Sequence, residues 1–142
     1  AKEIVVDSGY VLGVDILQIK KIDGIDFIKG DMTKEETFDK IKEKLSNDYV
    51  DVVISDMSPD ISGNYDLDQA RSIYLCMKAF ETAKLFLKKN GHFICKVFEG
   101  KDFEDFKIDI KSYFPQIKIF NPKASRKTSS EIYLIGKFYN KK

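Results

Sequence analysis

The 142-residue sequence contains no apolar run approaching the length of a bilayer span, and no signal-peptide pattern is visible. It is therefore expected to be a soluble, cytoplasmic protein with no membrane partner. Cysteine is scarce: Cys76 and Cys95 are the only two, with neither a CxxC spacing nor a histidine companion. That excludes a disulfide framework or a zinc ribbon, and the pair reads as buried, reduced thiols. The single histidine, His92, has no ligand-spaced neighbour, so no metal is expected. Charge of one sign is missing too, because 24 Lys and Arg face 23 Asp and Glu for a net +1. Any polyanion must then be met by a local cluster and not by the whole surface. Repeats and low-complexity segments are absent, and no GxGxxG stretch marks a nicotinamide site.

What is present is the material of one globular domain over residues 1–142, with 43% apolar and 33% charged residues. Ala1–Val6 reads as the last turn of a helix stopped at Asp7-Ser8-Gly9. Val11–Asp15 and Ile25–Ile28 read as short strands, the second running into Gly30-Asp31-Met32. Thr33 with Glu36 three residues on forms a capping-box pattern, opening a helix to about Leu45. Asp66 or Asp68 opens the longest helix, reaching about Lys89, with Ile73, Met77, Phe80, Ala83 and Leu87 as its apolar stripe. Asn90-Gly91 closes that helix, and His92–Phe98 is the next strand. Phe103, Phe106, Ile110 and Phe114 mark a helix halted at Pro115, and Ile117–Phe120 and Glu131–Phe138 are the final strands. The alternation implies an α/β, Rossmann-like, mostly parallel twisted sheet with helices on both faces and an antiparallel strand near the C-terminus.

The chain is organised around Tyr49-Val-Asp-Val-Val-Ile-Ser-Asp56-Met-Ser-Pro59-Asp-Ile-Ser-Gly63. Its β-branched run reads as a strand buried on both faces, ending abruptly in a carboxylate. Taken alone, Asp56 would serve equally as a turn residue or a helix cap. However, Asp15, Asp31 and Asp56 end three strands in succession, and the C-terminal edge of an open α/β sheet is where such folds hold nucleoside ligands. Lys96 lies inside the apolar run Phe93–Phe98, where an unpaired ammonium is costly. On a sheet of this order Asp56, Lys96 and Glu131 converge on one crevice. The alternative is a structural ion pair in the core, since buried charges are normally paired.

Four stretches carry a resemblance: Ser55-Asp-Met-Ser-Pro-Asp-Ile-Ser-Gly63, Asp68-Gln-Ala-Arg-Ser-Ile-Tyr-Leu75, Lys96-Val-Phe-Glu-Gly100, and Pro122-Lys-Ala-Ser-Arg-Lys-Thr-Ser-Ser-Glu-Ile-Tyr133. In this order they resemble the FtsJ/RrmJ family of S-adenosylmethionine-dependent RNA ribose 2′-O-methyltransferases, from the first residues to about Phe138. The resemblance implies catalytic roles for Asp56, Lys96 and Glu131, which match the last three members of a Lys-Asp-Lys-Glu tetrad. It also assigns Asp15 to the cofactor ribose, Asp31 and Met32 to its adenine, and a place near the sulfonium to Asp56. Large-subunit ribosomal RNA, at a uridine, is the implied substrate. A tRNA anticodon-loop methyltransferase, or a non-catalytic RNA-binding domain of the same fold, is the alternative.

Lys123, Arg126 and Lys127, with Arg71, are candidates for RNA phosphates, and Tyr65, Tyr74 or Tyr133 for stacking on a base. No glycine-rich loop precedes Val11, and no residue matches the first tetrad lysine. The chain therefore reads as an N-terminally incomplete domain. It is expected to be monomeric, to bind the cofactor weakly and to lack full activity alone.

Overall fold

In the computed structural model, which describes residues 9–122 and 131–140, the chain forms two compact units, Ala1–Asp48 and Tyr49–Lys142. The expected helical turn at Ala1–Val6 lies outside the described residues.

In the first unit, β1 (Leu12–Asp15) and β2 (Asp26–Lys29) pair in parallel with Leu12 opposite Asp26 and Asp15 opposite Lys29. The helix α1 (Glu35–Leu45) has acids in its first turn and lysines in its last, both favourable to the helix dipole. It buries Thr37, Ile41 and Leu45, one residue per turn on a single face. Its C-terminus closes through left-handed Ser46 and Asn47, whose N–H groups return to the carbonyls of Glu43 and Lys42. The capping box expected at Thr33 does not form. The helix begins after Lys34 with no side-chain cap, because both the N–H and the hydroxyl of Thr33 donate to Asp31 Oδ1, at 2.8 and 2.7 Å. The local Asx turn has captured the hydroxyl that would have capped the helix.

The second unit contains β3 (Val50–Ser55), α2 (Tyr65–Phe86), β4 (Leu87–Phe98), α3 (Phe103–Lys111), β5 (Gln116–Phe120) and β6 (Glu131–Lys137). The sheet order is β3-β4-β6-β5; β3 and β4 are parallel, and β6 is antiparallel to both its neighbours. Alternate residues Phe93, Cys95 and Val97 of β4, with Ile132 and Leu134 of β6, join Phe80 and Ala83 of α2 and Phe106 and Ile110 of α3 in one core. Both helices therefore cover the same face. Cys76 and Cys95 are buried and free in that core, as the sequence suggested.

Local expectations for β3, for α2 and for Asn90-Gly91 need correction. The β3 run is not buried on both faces: Val52 is 43% and Ile54 60% exposed. β-branched apolar residues specify a strand, but they do not specify how many faces are covered. The stripe of α2 does not include Met77, which is 46% exposed; Ile73, Cys76, Ala79, Phe80 and Ala83 are buried. The helix also opens at Asn64, whose side chain accepts from Leu67 N, and stops at Phe86 instead of Lys89. Asn90-Gly91 does not terminate it. Asn90 takes a positive φ of 67° within β4; its N–H donates to the Tyr139 carbonyl at 2.8 Å, and the Tyr139 N–H donates to the Gly91 carbonyl at 2.9 Å. A Cβ on Gly91 would stand 2.9 Å from the carbonyl oxygens of Asp51 and Lys88, so glycine answers a close backbone approach. No helix of the described residues is long and apolar enough to cross a membrane.

Candidate active site

β3 ends at Ser55, opposite Cys95 of β4, so the following residue, Asp56, comes level with Lys96. Lys96 alternates with the buried Cys95 and Val97 and therefore points to the face that α2 and α3 leave open. Its ammonium lies 3.3 Å from Asp56 Oδ1, with the lysine side chain 15% and the aspartate 67% exposed. Across the sheet Lys96 is in register with Tyr133. The Tyr133 hydroxyl donates to the same Asp56 Oδ1 at 3.2 Å. One carboxylate oxygen thus holds both an ammonium and a phenol. Burial, then the adjacent Asp56 charge, raises the Tyr133 phenol above its ordinary pKa, so it remains a proton donor at neutral pH. Glu131 opens β6 opposite Phe98 and sits two residues before Tyr133, hence on the same face.

The site's backbone is held from α2. Ser72 Oγ accepts from Phe98 N at 2.9 Å, and the Cys76 thiol meets the Lys96 carbonyl at 2.9 Å. The loop after Asp56 is held by Asp68, whose Oδ1 accepts from Ser62 N at 2.9 Å and Ser62 Oγ at 2.7 Å. Asp68, expected as a helix opener, instead clasps the preceding loop. The Ser62 hydroxyl and then its amide lower the Asp68 pKa. A depressed carboxylate contributes stability above its unfolded pKa of about 3.9, and loses it as pH falls through the folded value. Asp68→Ala should therefore lower the hydrogen-exchange protection of the Ser62 amide, relative to its intrinsic rate, at neutral pH, and the further loss of protection expected of the parent below about pH 4 should be absent from the variant. Unchanged exchange at Ser62 would show that the clasp does not order the loop.

In the first unit, Asp15 ends β1 and its carboxylate accepts from Leu17 N at 3.1 Å. Asp31 follows β2, with Oδ1 engaged by Thr33 and its pKa lowered by that hydroxyl and amide; Met32 next to it is half-buried. Asp15 and Asp31 thus stand at the C-terminal ends of adjacent parallel strands.

Arg71 is exposed on α2, while Lys123, Arg126 and Lys127 lie outside the described residues. Of the tyrosines considered for stacking, Tyr65 donates its hydroxyl to the Glu99 carbonyl, and Tyr74 is exposed with the Lys78 ammonium 5.6 Å from its ring centre. Tyr133 as a partner of Asp56 was not foreseen. The Glu-Ile-Tyr alternation was a usable signal, since it places residues 131 and 133 on one face. Among the described residues no group of three His, Cys, Asp or Glu side chains is placed to hold a metal.

Comparison with known proteins gives concordant results. The model of the FtsJ-like methyltransferase family matches residues 2–139. The chain is 48% identical over 132 residues to the ribosomal RNA large subunit methyltransferase E of Methanococcoides burtonii, covering 93% of this chain and 49% of that protein. With the protein of the same name from Methanocaldococcus jannaschii it shares 47% identity over 146 residues, covering 100% of this chain and 60% of that one. The chain therefore spans about half the length of these relatives. In fold, it is similar to a crystallised Plasmodium falciparum protein assigned as a ribosomal RNA methyltransferase, with a TM-score of 0.83 and 24% identity over 93% of this chain and 73% of that one. The Methanococcus jannaschii fibrillarin pre-rRNA processing protein is more distant, at a TM-score of 0.57 and 18% identity, covering 84% of this chain and 47% of that chain. A family match across nearly the whole chain agrees with the four sequence stretches and the α/β sheet: the chain belongs to the FtsJ-like methyltransferase family.

Proposed function

We propose that this chain supplies the catalytic residues of an S-adenosylmethionine-dependent RNA ribose 2′-O-methyltransferase acting on large-subunit ribosomal RNA. The observation that carries this reading is the half-buried Lys96 ammonium, 3.3 Å from Asp56 on the open face of a sheet in an FtsJ-like chain. Residues 1–142 then form one methyltransferase domain. The donor set suits the cofactor: Asp15 offers a carboxylate to ribose hydroxyls at a strand end, and Asp31 with Met32 offers a polar edge and an apolar surface to adenine. When bound, the cofactor supplies an electrophilic methyl group on a sulfonium.

The remaining work falls to the protein. A ribose hydroxyl is a weak nucleophile at neutral pH, so it must be oriented in line and relieved of its proton. Lys96 orients the 2′-oxygen, and its amine receives the hydroxyl proton as the oxygen takes the methyl, while Asp56 offsets the ammonium charge so formed and is itself steadied by the Tyr133 hydroxyl. Glu131, on the same face as Tyr133, adds negative potential at the far side of Lys96. Arg71, Lys123, Arg126 and Lys127 hold RNA phosphates, each at a modest salt-dependent gain.

The test is incubation of the native full-length protein with labelled cofactor and large-subunit ribosomal RNA, followed by nuclease digestion and mass spectrometry. The expected product is a single 2′-O-methylated nucleoside. Label on a base, or on no RNA, would refute the reading; label on tRNA alone would move it to the anticodon-loop substrate.

A further inference from the structure

The open face of the second unit's sheet carries a row of side chains that the catalytic reading does not use up. Lys96 is in register with Tyr133, and Tyr133 in turn with Phe120 of β5. Directly paired residues project from the same face of a sheet. Asp56, Lys96, Tyr133 and Phe120 therefore form one line across it. At about 4.8 Å per strand, Phe120 stands roughly 10 Å from Lys96 along that line. Phe120 is 56% exposed at the end of β5, the edge strand of this sheet, which pairs with β6.

Below this row the same face becomes basic. Lys118 precedes Phe120 by two residues and lies opposite Ile135; Lys137 follows Ile135 by two and lies opposite Gln116. Lys118 is exposed and Lys137 half-exposed. On β5 and on β6 beyond Tyr133, this face bears no carboxylate. An exposed ring between a catalytic lysine and two further cations has the chemistry of a single-stranded nucleic-acid platform, with aromatic faces for bases and ammonium groups for phosphates. A duplex would not serve, because its bases are already stacked on one another.

We propose that Phe120, with the Tyr133 ring beside it, is a stacking subsite for an unpaired RNA base next to the methylated nucleotide, and that Lys118 and Lys137 hold the phosphates leading away from it. The inference rests on the RNA 2′-O-methyltransferase reading and adds to it where the strand lies and why an unpaired segment is required. Phe120 touches no reacting atom in this arrangement. It is a binding residue, and its removal should appear in KM for RNA and leave kcat alone.

The experiment uses the native full-length protein and a ribosomal RNA fragment as substrate. Phe120→Leu should raise KM for RNA about five- to a hundred-fold, the span of losing one base–aromatic stack, with kcat, cofactor affinity and melting temperature unchanged. Phe120→Trp should restore KM. Lys118→Gln should reduce the slope of log affinity against log salt by about one. Independently of any variant, abasic nucleotides introduced one at a time beside the target in RNA given to the parent protein should raise KM at one or two positions only. A Phe120→Leu protein with parental KM, or an abasic series with no sensitive position, overturns the subsite and leaves the enzymatic reading standing. Parent protein that methylates no RNA ribose overturns both.

Discussion

Lys96→Met is expected to lower methyl-transfer turnover by about a hundred- to ten-thousand-fold, the range for losing a positioned proton-transfer group, while leaving folding intact. The two halves of that expectation have different physical origins. Methionine matches the lysine stem in volume, and Lys96 is only 15% exposed, so the change replaces a half-buried ion with an apolar chain. Substitutions of that kind are commonly neutral or stabilising. Asp56, the partner left behind, is 67% exposed, so water can take over its charge and the penalty of an abandoned buried carboxylate does not arise. Stability is therefore retained while the group proposed to act on the substrate hydroxyl is lost. Labelled-methyl transfer to ribosomal RNA by the full-length protein, with thermal melting of both forms, checks both halves. A well-folded Lys96→Met enzyme with near-normal turnover would place the chemistry elsewhere and reduce the Asp56–Lys96 contact to a structural ion pair.

The largest stability effect is expected at Phe114. Its ring is fully buried and within 5.4 to 6.3 Å, centre to centre, of the rings of Phe80, Phe93 and Tyr139. Phe114→Ala should cost about 3–5 kcal/mol, the usual penalty for emptying an aromatic site in a core. The ring also rests on Gly136 of β6, where a Cβ would approach its Cγ to 2.8 Å. Gly136→Ala alone should then cost about 1–3 kcal/mol through overpacking. In the Phe114→Ala background the same methyl enters the space left by the ring and should cost far less. Urea unfolding of the four proteins in the cycle measures that coupling. Additive losses would mean that strand geometry, and not the ring, requires glycine at position 136. The contact bears on function because Gly136 lies on the strand whose other end holds Glu131 and Tyr133.

Much of the arrangement was legible from residue order, and the reasons are local. The helix α3 declared itself through Phe103, Phe106 and Ile110, all buried as their spacing required, although it ends at Lys111 and leaves the buried Phe114 beyond it, short of the expected stop at Pro115. Lys96 within Phe93–Phe98 foretold a side chain that must meet a carboxylate or lose its proton, and Asp56 stands 3.3 Å from it. The same style of inference failed where two local solutions competed. Thr33 could cap α1 or bond to Asp31, and the nearer carboxylate won. Asp68 could open α2 or clasp Ser62, and Asn64 took the cap.

Sequence alone determined the fold class and the order of strands and helices, because these rest on periodicity; the cost of burying charge called for a carboxylate beside Lys96, and the choice of Asp56 and Glu131 rested on the family resemblance. Only the tertiary structure decided which groups share an oxygen and which share a row. Tyr133 reaches Asp56 across 77 positions of sequence, and Phe120 joins that line through the antiparallel register of β5 with β6. Register is a property of paired strands, set by hydrogen bonds between segments distant in the chain, so it leaves little trace in either segment by itself.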